Sequence, residues 1–220
     1  GPFDRQQEKK VEEATVIFEL FQTGDLKAST EQRIMVDVGA SKGTALHAFA
    51  EAGWTVHAFE PNPPLFEALK RKYDADNLIL NDVAVSDTAG AEIPFYTSEE
   101  STGIGTLKPF RDSHEVTAQV STIRLDDYLR EQGIEHVDFL KIDTEGFDLM
   151  VLQGLDFACH PVDTIVCEFE DRKSLPLGYS TGDLADYLVA AGYTVYVSEW
   201  HPVVRYGDEH HWRALKCYPC

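Results

Sequence analysis

Acidic side chains recur along this chain at the points where predicted strands give way to turns. Asp37 precedes a glycine-containing turn, and Glu60 follows roughly 20 residues later. Asp143 and Glu168 follow two later strands. The carboxyl ends of parallel strands meet at one edge of a sheet, so these side chains are expected to surround one crevice. The sequence therefore predicts a ligand site at which carboxylates bind hydroxyl or ammonium groups or take a proton.

The turn that begins at Asp37 has the composition of an anion-binding turn with an acid in front of it. Gly39 permits a tight turn, and Gly43 allows the next helix to approach the strand. Backbone N–H groups at Ala40 and Ser41, where the helix begins, can hold an anion. An NAD-binding turn needs G-x-G-x-x-G, which is absent, and an acid beside a pyrophosphate would repel it. The turn therefore disfavours a dinucleotide, and with it an NAD-linked oxidoreductase.

Glu60 ends the second predicted strand and supplies the second half of this ligand site. A carboxylate at this distance from the turn commonly accepts hydrogen bonds from the two hydroxyls of a ribose. Asn62 follows in the same segment and is a further expected contact. Asn81 and Asp82 end the third strand, where the base of a nucleoside would lie, although such a pair is also typical of a plain turn. Together these residues predict a nucleoside-binding crevice.

Three residues are candidates for the reaction itself. Asp143 ends a buried strand and is the first candidate for a general base, and Glu168 ends the next strand. His201 lies in a Trp-His-Pro segment and is the first histidine to test, with Arg205 as a candidate contact to a second substrate. A histidine that is simply solvated or hydrogen-bonded is the plainer interpretation of each histidine in the chain.

The strand-end carboxylates also raise the question of a metal. Asp143 with Glu168 and Glu170 could hold Mg²⁺ through oxygen ligands alone. Carboxylates at neighbouring strand ends are common without an ion, so no metal is expected. Glu145 is either a further site residue or a carboxylate favoured by the dipole of the following helix.

The elements around these residues alternate between strands and helices. This order predicts an α/β fold with a mostly parallel, doubly wound sheet. Residues 86–122 interrupt the alternation with short strand patterns and small turn residues, which predict an antiparallel excursion over the site. Apolar residues at helical spacing predict an amphipathic helix at 8–22. We expect residues 1–30 to hold this helix and residues 31–220 to form the catalytic domain.

The composition limits the partners of the chain. It has 38 acidic and 19 basic residues and a net charge of -19, which repels nucleic acid and anionic membranes. No apolar run approaches the ~20 residues that span a bilayer. No leader pattern is recognisable, so the cytoplasm is the expected compartment. Gly1 and Pro2 are typical of the remnant that a protease leaves when it removes a purification tag, and we expect a domain excised from a longer protein.

Five segments in order resemble the FkbM-type methyltransferases. They are Asp37–Gly43, Phe59–Pro63, Asn81–Ser86, Ile123–Tyr128 and Phe139–Gly146, and the similarity runs from about residue 33 to 215. The resemblance implies a class I, Rossmann-like methyltransferase with S-adenosyl-L-methionine as cofactor. It further implies that Asp37 holds the cofactor's amino group, that the turn holds its carboxylate, and that the methyl group goes to a hydroxyl in glycan or polyketide biosynthesis.

One further segment bears on the acceptor. Residues 198–202 and 205–207 are similar to family members associated with glycosyltransferases. The resemblance therefore implies a sugar hydroxyl, on a small molecule or a carrier-bound glycan, and glycosyltransferase or synthase domains as fused or working partners. A natural-product hydroxyl is the alternative acceptor. From another class, a nucleoside-binding module without catalysis is the alternative function.

Overall fold

The computed structural model describes residues 13–29, 31–98, 101–107, 114–201 and 211–219, with only the backbone given at 97–98, 101–106 and 114. Its helices are α1 (Glu13–Thr23), α2 (Thr44–Glu51), α3 (Pro63–Lys72), α4 (Leu125–Gln132), α5 (Asp148–Gln153), α6 (Asp171–Ser174) and α7 (Thr181–Ala190). Its strands are β1 (Ile34–Val38), β2 (Thr55–Phe59), β3 (Leu78–Asn81), β4 (Ala84–Val85), β5 (Glu92–Ser98), β6 (Ser101–Thr106), β7 (His114–Ile123), β8 (Val137–Ile142), β9 (Val162–Cys167), β10 (Tyr196–Trp200) and β11 (Trp212–Cys217).

Five of these strands form the central sheet. Their order is β3-β2-β1-β8-β9, and every neighbouring pair is parallel. The chain leaves β1 towards β2 on one side and later returns to β8 on the other, so the strand order reverses at β1. Ligands bind beyond the carboxyl ends of strands at such a reversal. The predicted doubly wound α/β fold is confirmed.

The two faces of the sheet are covered by different helices because successive side chains of a strand point to opposite faces. Met35 packs with α1, α2 and α3, in a cluster that includes Leu46 and Phe49. Val36, its neighbour in the strand, packs with α4, α5 and α7 instead. Both clusters are fully buried at their centres. The two layers hold the carboxyl edge of the sheet in a fixed position.

The first helix belongs to this packing, as predicted from its apolar spacing. Residues 13–23 are helical in the described part of the chain, and Ala14 is buried. Phe18 packs edge-to-face on Phe49 with ring centres 5.0 Å apart, and Phe21 does the same on Trp54 at 4.9 Å. These contacts attach α1 to the face of the sheet that α2 covers.

The predicted excursion is a second sheet of four strands, in the order β4-β7-β5-β6. The pairs β5–β7 and β5–β6 are antiparallel, whereas the short β4 runs parallel to β7. It begins at Ala84 and ends at Ile123, slightly beyond the predicted range. The prediction of an antiparallel excursion is confirmed.

The end of the chain departs from its sequence pattern. The apolar residues at 193–197 are typical of a strand, whereas β10 begins at Tyr196 and pairs antiparallel with β11 as a separate two-stranded sheet. Tyr193 and Val195 are apolar because they pack against the core from an extended segment, and the Tyr193 hydroxyl donates to the Val162 carbonyl at 2.8 Å. Within the described residues, no helix has the length and apolar character needed to cross a bilayer.

Candidate functional site

The ends of β1 and β8 approach each other at a glycine. Gly39 has φ +85°, and a Cβ built on it would lie 2.0 Å from the carbonyl oxygen of Asp143. The Asp143 N–H donates to the Val38 carbonyl at 2.9 Å, which fixes the two strand ends side by side. Only glycine fits here, because both the positive φ and the close backbone exclude a side chain. The turn therefore begins at the point where the crevice opens.

An open cleft of about 710 Å³, counted up to its mouth, lies beyond these strand ends. Five of the sequence-predicted residues line it, namely Gly39, Ser41, Glu60, Asn62 and Asp143. Apolar side chains such as Leu65 and Val83 line it as well, and Phe95 and Leu107 of the excursion close one side. The structure thus brings the main predicted residues together in one cleft.

Glu60 is held firmly at the wall of this cleft. Its Oε2 accepts from the Ser41 N–H at 2.7 Å, and its Oε1 accepts from the Asn62 N–H at 2.9 Å. The side chain is buried, and burial raises its pKa to about 7 although the two N–H groups work in the opposite direction. Each oxygen keeps a lone pair, so the carboxylate can still accept hydrogen bonds from a diol.

The anion-binding role predicted for Ala40 and Ser41 needs a correction. The Ala40 N–H donates to the Phe59 carbonyl at 3.0 Å, and the Ser41 N–H is used by Glu60. The N–H groups of the first turn of α2, which begins after Gly43, have no partner within the helix and remain to serve an anion. The close approach at Gly43 is to the end of α3, whereas the prediction placed it at the strand: a Cβ on Gly43 would lie 2.7 Å from the Tyr73 ring.

Asp37 does not line the cleft, which corrects the predicted direct contact with an ammonium group. It is fully buried beside Lys141 of the neighbouring strand, because the two residues are partners in the β1–β8 register. The Lys141 Nζ lies 3.3 Å from Asp37 and 3.4 Å from Asp143. Burial raises the pKa of Asp37, and Lys141 opposes that effect. Asp37 therefore anchors the lysine that in turn contacts Asp143.

Lys141 is the site residue that sequence reasoning missed. Burial disfavours its charged form, but the carboxylates of Asp37 and Asp143 outweigh this and raise its pKa. The signal was present in the sequence, because a charged residue interrupts the apolar end of β8 two positions before Asp143. A buried lysine of that kind requires a carboxylate partner on the adjacent strand.

Asp143 is the most accessible carboxylate at this end of the cleft, with 42% of its side chain exposed. The loop after it is shaped by Asp148, which accepts from the Thr144 hydroxyl at 3.1 Å and from the Gly146 N–H at 3.3 Å. Glu145 in this loop adopts φ +54° and lines the cleft too. Asp148 is the carboxylate that accepts from the loop backbone where α5 begins.

Glu168 has a different setting from the one predicted. Both of its oxygens accept from Lys173 on α6, at 2.9 and 3.0 Å, so it is already paired. Glu170 contacts the same ammonium at 3.2 Å. At this edge of the sheet, the described residues whose oxygens lie close enough to hold an ion are Asp143, Glu145 and Glu168. Glu145 therefore takes the place of Glu170 in the predicted metal set.

The remaining candidates lie outside the lining of the cleft. The Asn81 amide donates to the Ala58 carbonyl and the Tyr128 hydroxyl, both at 3.2 Å, and so connects β3 to its neighbours. Asp82 is exposed. His201 is exposed at the end of β10, where its backbone N–H donates to the His211 carbonyl at 2.9 Å. Arg205 lies outside the described residues. Roles in base binding and catalysis stay predictions for these residues.

A parallel sheet with this strand order and a cleft at its reversal define the class of the fold. It is a Rossmann-like, doubly wound α/β fold, to which a mixed four-stranded sheet and an antiparallel pair of strands are added.

Comparison with known proteins then gives the family. The Methyltransferase FkbM domain matches residues 37–195, and the chain belongs to this family. It is 30% identical over 215 residues to the 31-O-demethyl-FK506 methyltransferase FkbM of Streptomyces tacrolimicus, with 83% of this chain and 80% of that protein covered. It is 29% identical over 146 residues to the hexuronic acid methyltransferase AglP of Haloferax volcanii, with 65% and 58% covered. The resemblance stated from the sequence is confirmed.

Proposed function

We propose that this protein transfers a methyl group from S-adenosyl-L-methionine to a hydroxyl oxygen, with a sugar or another polyol as the acceptor. The observation that carries the proposal is the cleft, which is lined by both Glu60 and the exposed Asp143. Glu60 suits a nucleoside, and Asp143 suits a group that loses a proton.

The residues of the cleft fit this cofactor. The Glu60 carboxylate is positioned to accept hydrogen bonds from the ribose hydroxyls, and Leu65 and Val83 offer apolar walls for adenine. The first turn of α2 offers N–H groups to the methionine carboxylate. When bound, the cofactor supplies an activated methyl group.

Asp143 is the residue to which we assign the proton. An alcohol attacks a methyl group effectively only if a base takes its proton as the bond forms. Glu145 and Glu168 are both paired with Lys173, whereas Asp143 is partly exposed and touches one ammonium at 3.4 Å. Orientation of the hydroxyl behind the methyl group supplies the rest of the rate acceleration.

The acceptor is inferred from chemistry and from the relatives. The carboxylates that line the cleft can accept hydrogen bonds from several hydroxyls of a polyol. One relative is named for a hexuronic acid, which supports a sugar. The other is named for a 31-O-demethyl compound, and its greater coverage of this chain supports the second candidate, a natural-product hydroxyl.

Calorimetry with S-adenosylhomocysteine tests the first half of the proposal. We expect S-adenosylhomocysteine to bind to the wild type and NAD not to bind. Glu60→Gln should bind S-adenosylhomocysteine roughly 10- to 100-fold more weakly, which is the effect of losing one charged hydrogen bond. Absence of binding to the wild type would refute the proposal.

The second half is tested by incubating the protein with the cofactor and a panel of sugars and natural-product alcohols. Mass spectrometry should show the gain of one methylene group on an accepted compound. Asp143→Asn should lower the turnover rate by about 10²–10⁴-fold, the usual contribution of a general base, without weakening S-adenosylhomocysteine binding to the same degree. A cofactor that binds while no acceptor is methylated would favour the non-catalytic module.

A further inference from the structure

Lys173 lies where the loops after β8 and β9 meet. Its ammonium is surrounded by carboxylate oxygens, at 2.5 Å from Glu145, at 2.9 and 3.0 Å from Glu168, and at 3.2 Å from Glu170. Only 9% of the side chain is exposed. Burial works against the charged form, but the carboxylates outweigh it and raise the pKa of Lys173. The charged form of Lys173 is therefore favoured at neutral pH.

The same carboxylates form a group of the kind that binds a divalent ion. One oxygen each from Asp143, Glu145 and Glu168 lie within 4.8 Å of one another. Sets of carboxylate oxygens are the preferred ligands of Ca²⁺ and Mg²⁺. Two of these three residues are already bound to Lys173. An ion held by the same oxygens would lie close to the ammonium, and like charges at that distance repel.

We propose that Lys173 is the resident cation of this cluster and stands where a divalent ion would otherwise bind. Its ammonium holds Glu145 and Glu168 in place, so that their charges do not drive the loops apart. Asp143 is left exposed for the acceptor. Lys173 contacts carboxylates and not reacting atoms, so it is a positioning residue. The role of Lys173 in methyl transfer rests on the function proposed above. If Lys173 occupies the place of a divalent ion, methyl transfer needs no divalent metal.

Two substitutions separate the charge of Lys173 from its volume. Lys173→Ala removes the charge and leaves room for an ion, whereas Lys173→Met removes the charge and fills the room. Each protein is treated with EDTA and titrated with calcium chloride in a calorimeter. We expect no binding to the wild type or to Lys173→Met. Lys173→Ala should bind Ca²⁺ with a dissociation constant of about 10⁻⁴–10⁻³ M, and Ca²⁺ should raise its melting temperature.

Activity gives a second readout. Both variants should lose roughly 10- to 100-fold in turnover, the effect of one charged hydrogen bond, while Lys173→Arg keeps most of it. Methylammonium or Ca²⁺ should restore Lys173→Ala and leave Lys173→Met unchanged. A purely structural lysine would not give this difference between the two variants.

Three results would overturn the inference. They are Ca²⁺ binding by the wild type that Glu145→Gln abolishes, loss of wild-type activity in EDTA, and a folded Lys173→Ala that binds no Ca²⁺. If Lys173→Ala does not fold, the first two results still decide the matter. The calcium titrations need no cofactor, so failure of S-adenosylhomocysteine to bind would sink the proposed function and leave this result standing.

Discussion

The close approach of β1 to β8 at Gly39 predicts a large penalty for Gly39→Ala. A Cβ there would lie 2.0 Å from the Asp143 carbonyl oxygen, and the strand ends would have to separate by about 1 Å to reach the 3.0 Å that real Cβ contacts require. The positive φ costs about 1–2 kcal/mol for a residue with a Cβ. Overpacking against a fixed backbone adds about 1–3 kcal/mol. We therefore expect a loss of about 2–5 kcal/mol, a large part of the ~5–15 kcal/mol of a typical domain.

Gly53 provides a matched control. It has φ +81°, close to that of Gly39, but nothing lies within 4 Å of a Cβ built on it. Gly53→Ala should therefore show the cost of the positive φ alone, about 1–2 kcal/mol. Urea unfolding of the two variants measures the difference, and calorimetry should show weaker S-adenosylhomocysteine binding only in Gly39→Ala. Equal destabilisation by the two substitutions would refute the contact between the strand ends on which the site is built.

Two further predictions concern the charges of the site. Burial raises the pKa of Glu60 from its usual 4.5 to about 7, so the folded state holds this proton more tightly than the unfolded state. The free energy of unfolding should therefore fall by up to roughly 3 kcal/mol as the pH rises between these two values. In Glu60→Gln the free energy of unfolding should fall less between pH 4.5 and 8, and an unchanged slope would contradict the burial of Glu60. Lys141→Met should destabilise the protein by about 3–5 kcal/mol because it leaves the buried Asp37 without a cation. Adding Asp37→Leu to this variant should recover most of the lost stability. If the two substitutions have additive effects on the free energy of unfolding in urea, the two residues are not coupled.

The fold was predictable because strand and helix patterns are local. The apolar residues from Val137 to Ile142 and the helix that Gly133 caps can be recognised from a short window of sequence. The antiparallel pair of β10 and β11 was not predictable, because the exposed β11 has little apolar alternation. The extended segment around Tyr193 packs on the core and therefore has the apolar pattern of a strand. Pairing between distant segments is not encoded in either strand alone.

The site was predictable as a set of strand ends but not as a set of partners. Glu60 and Asp143 line the cleft because each follows a parallel strand at the same edge. Asp37 lies one residue before the end of β1 and is hidden, with Lys141 as its partner in the register. A partner on another strand cannot be read from the spacing of acids, and α6, which carries Lys173, is too short to be recognised by its pattern.

The two lysines explain why a single carboxylate of this acidic edge is suited to take a proton. Lys141 lies between Asp37 and Asp143, and Lys173 lies among Glu145, Glu168 and Glu170. The carboxylates outnumber the ammonium groups, so they cannot all be neutralised equally. Asp37 has lost its access to water, and Glu145 and Glu168 have each gained an ammonium at 3.0 Å or less. Glu170 is exposed too but lies outside the lining of the cleft, whereas Asp143 lines it and keeps both its exposure and a longer contact of 3.4 Å, so Asp143 is the carboxylate of this edge best placed to meet an acceptor.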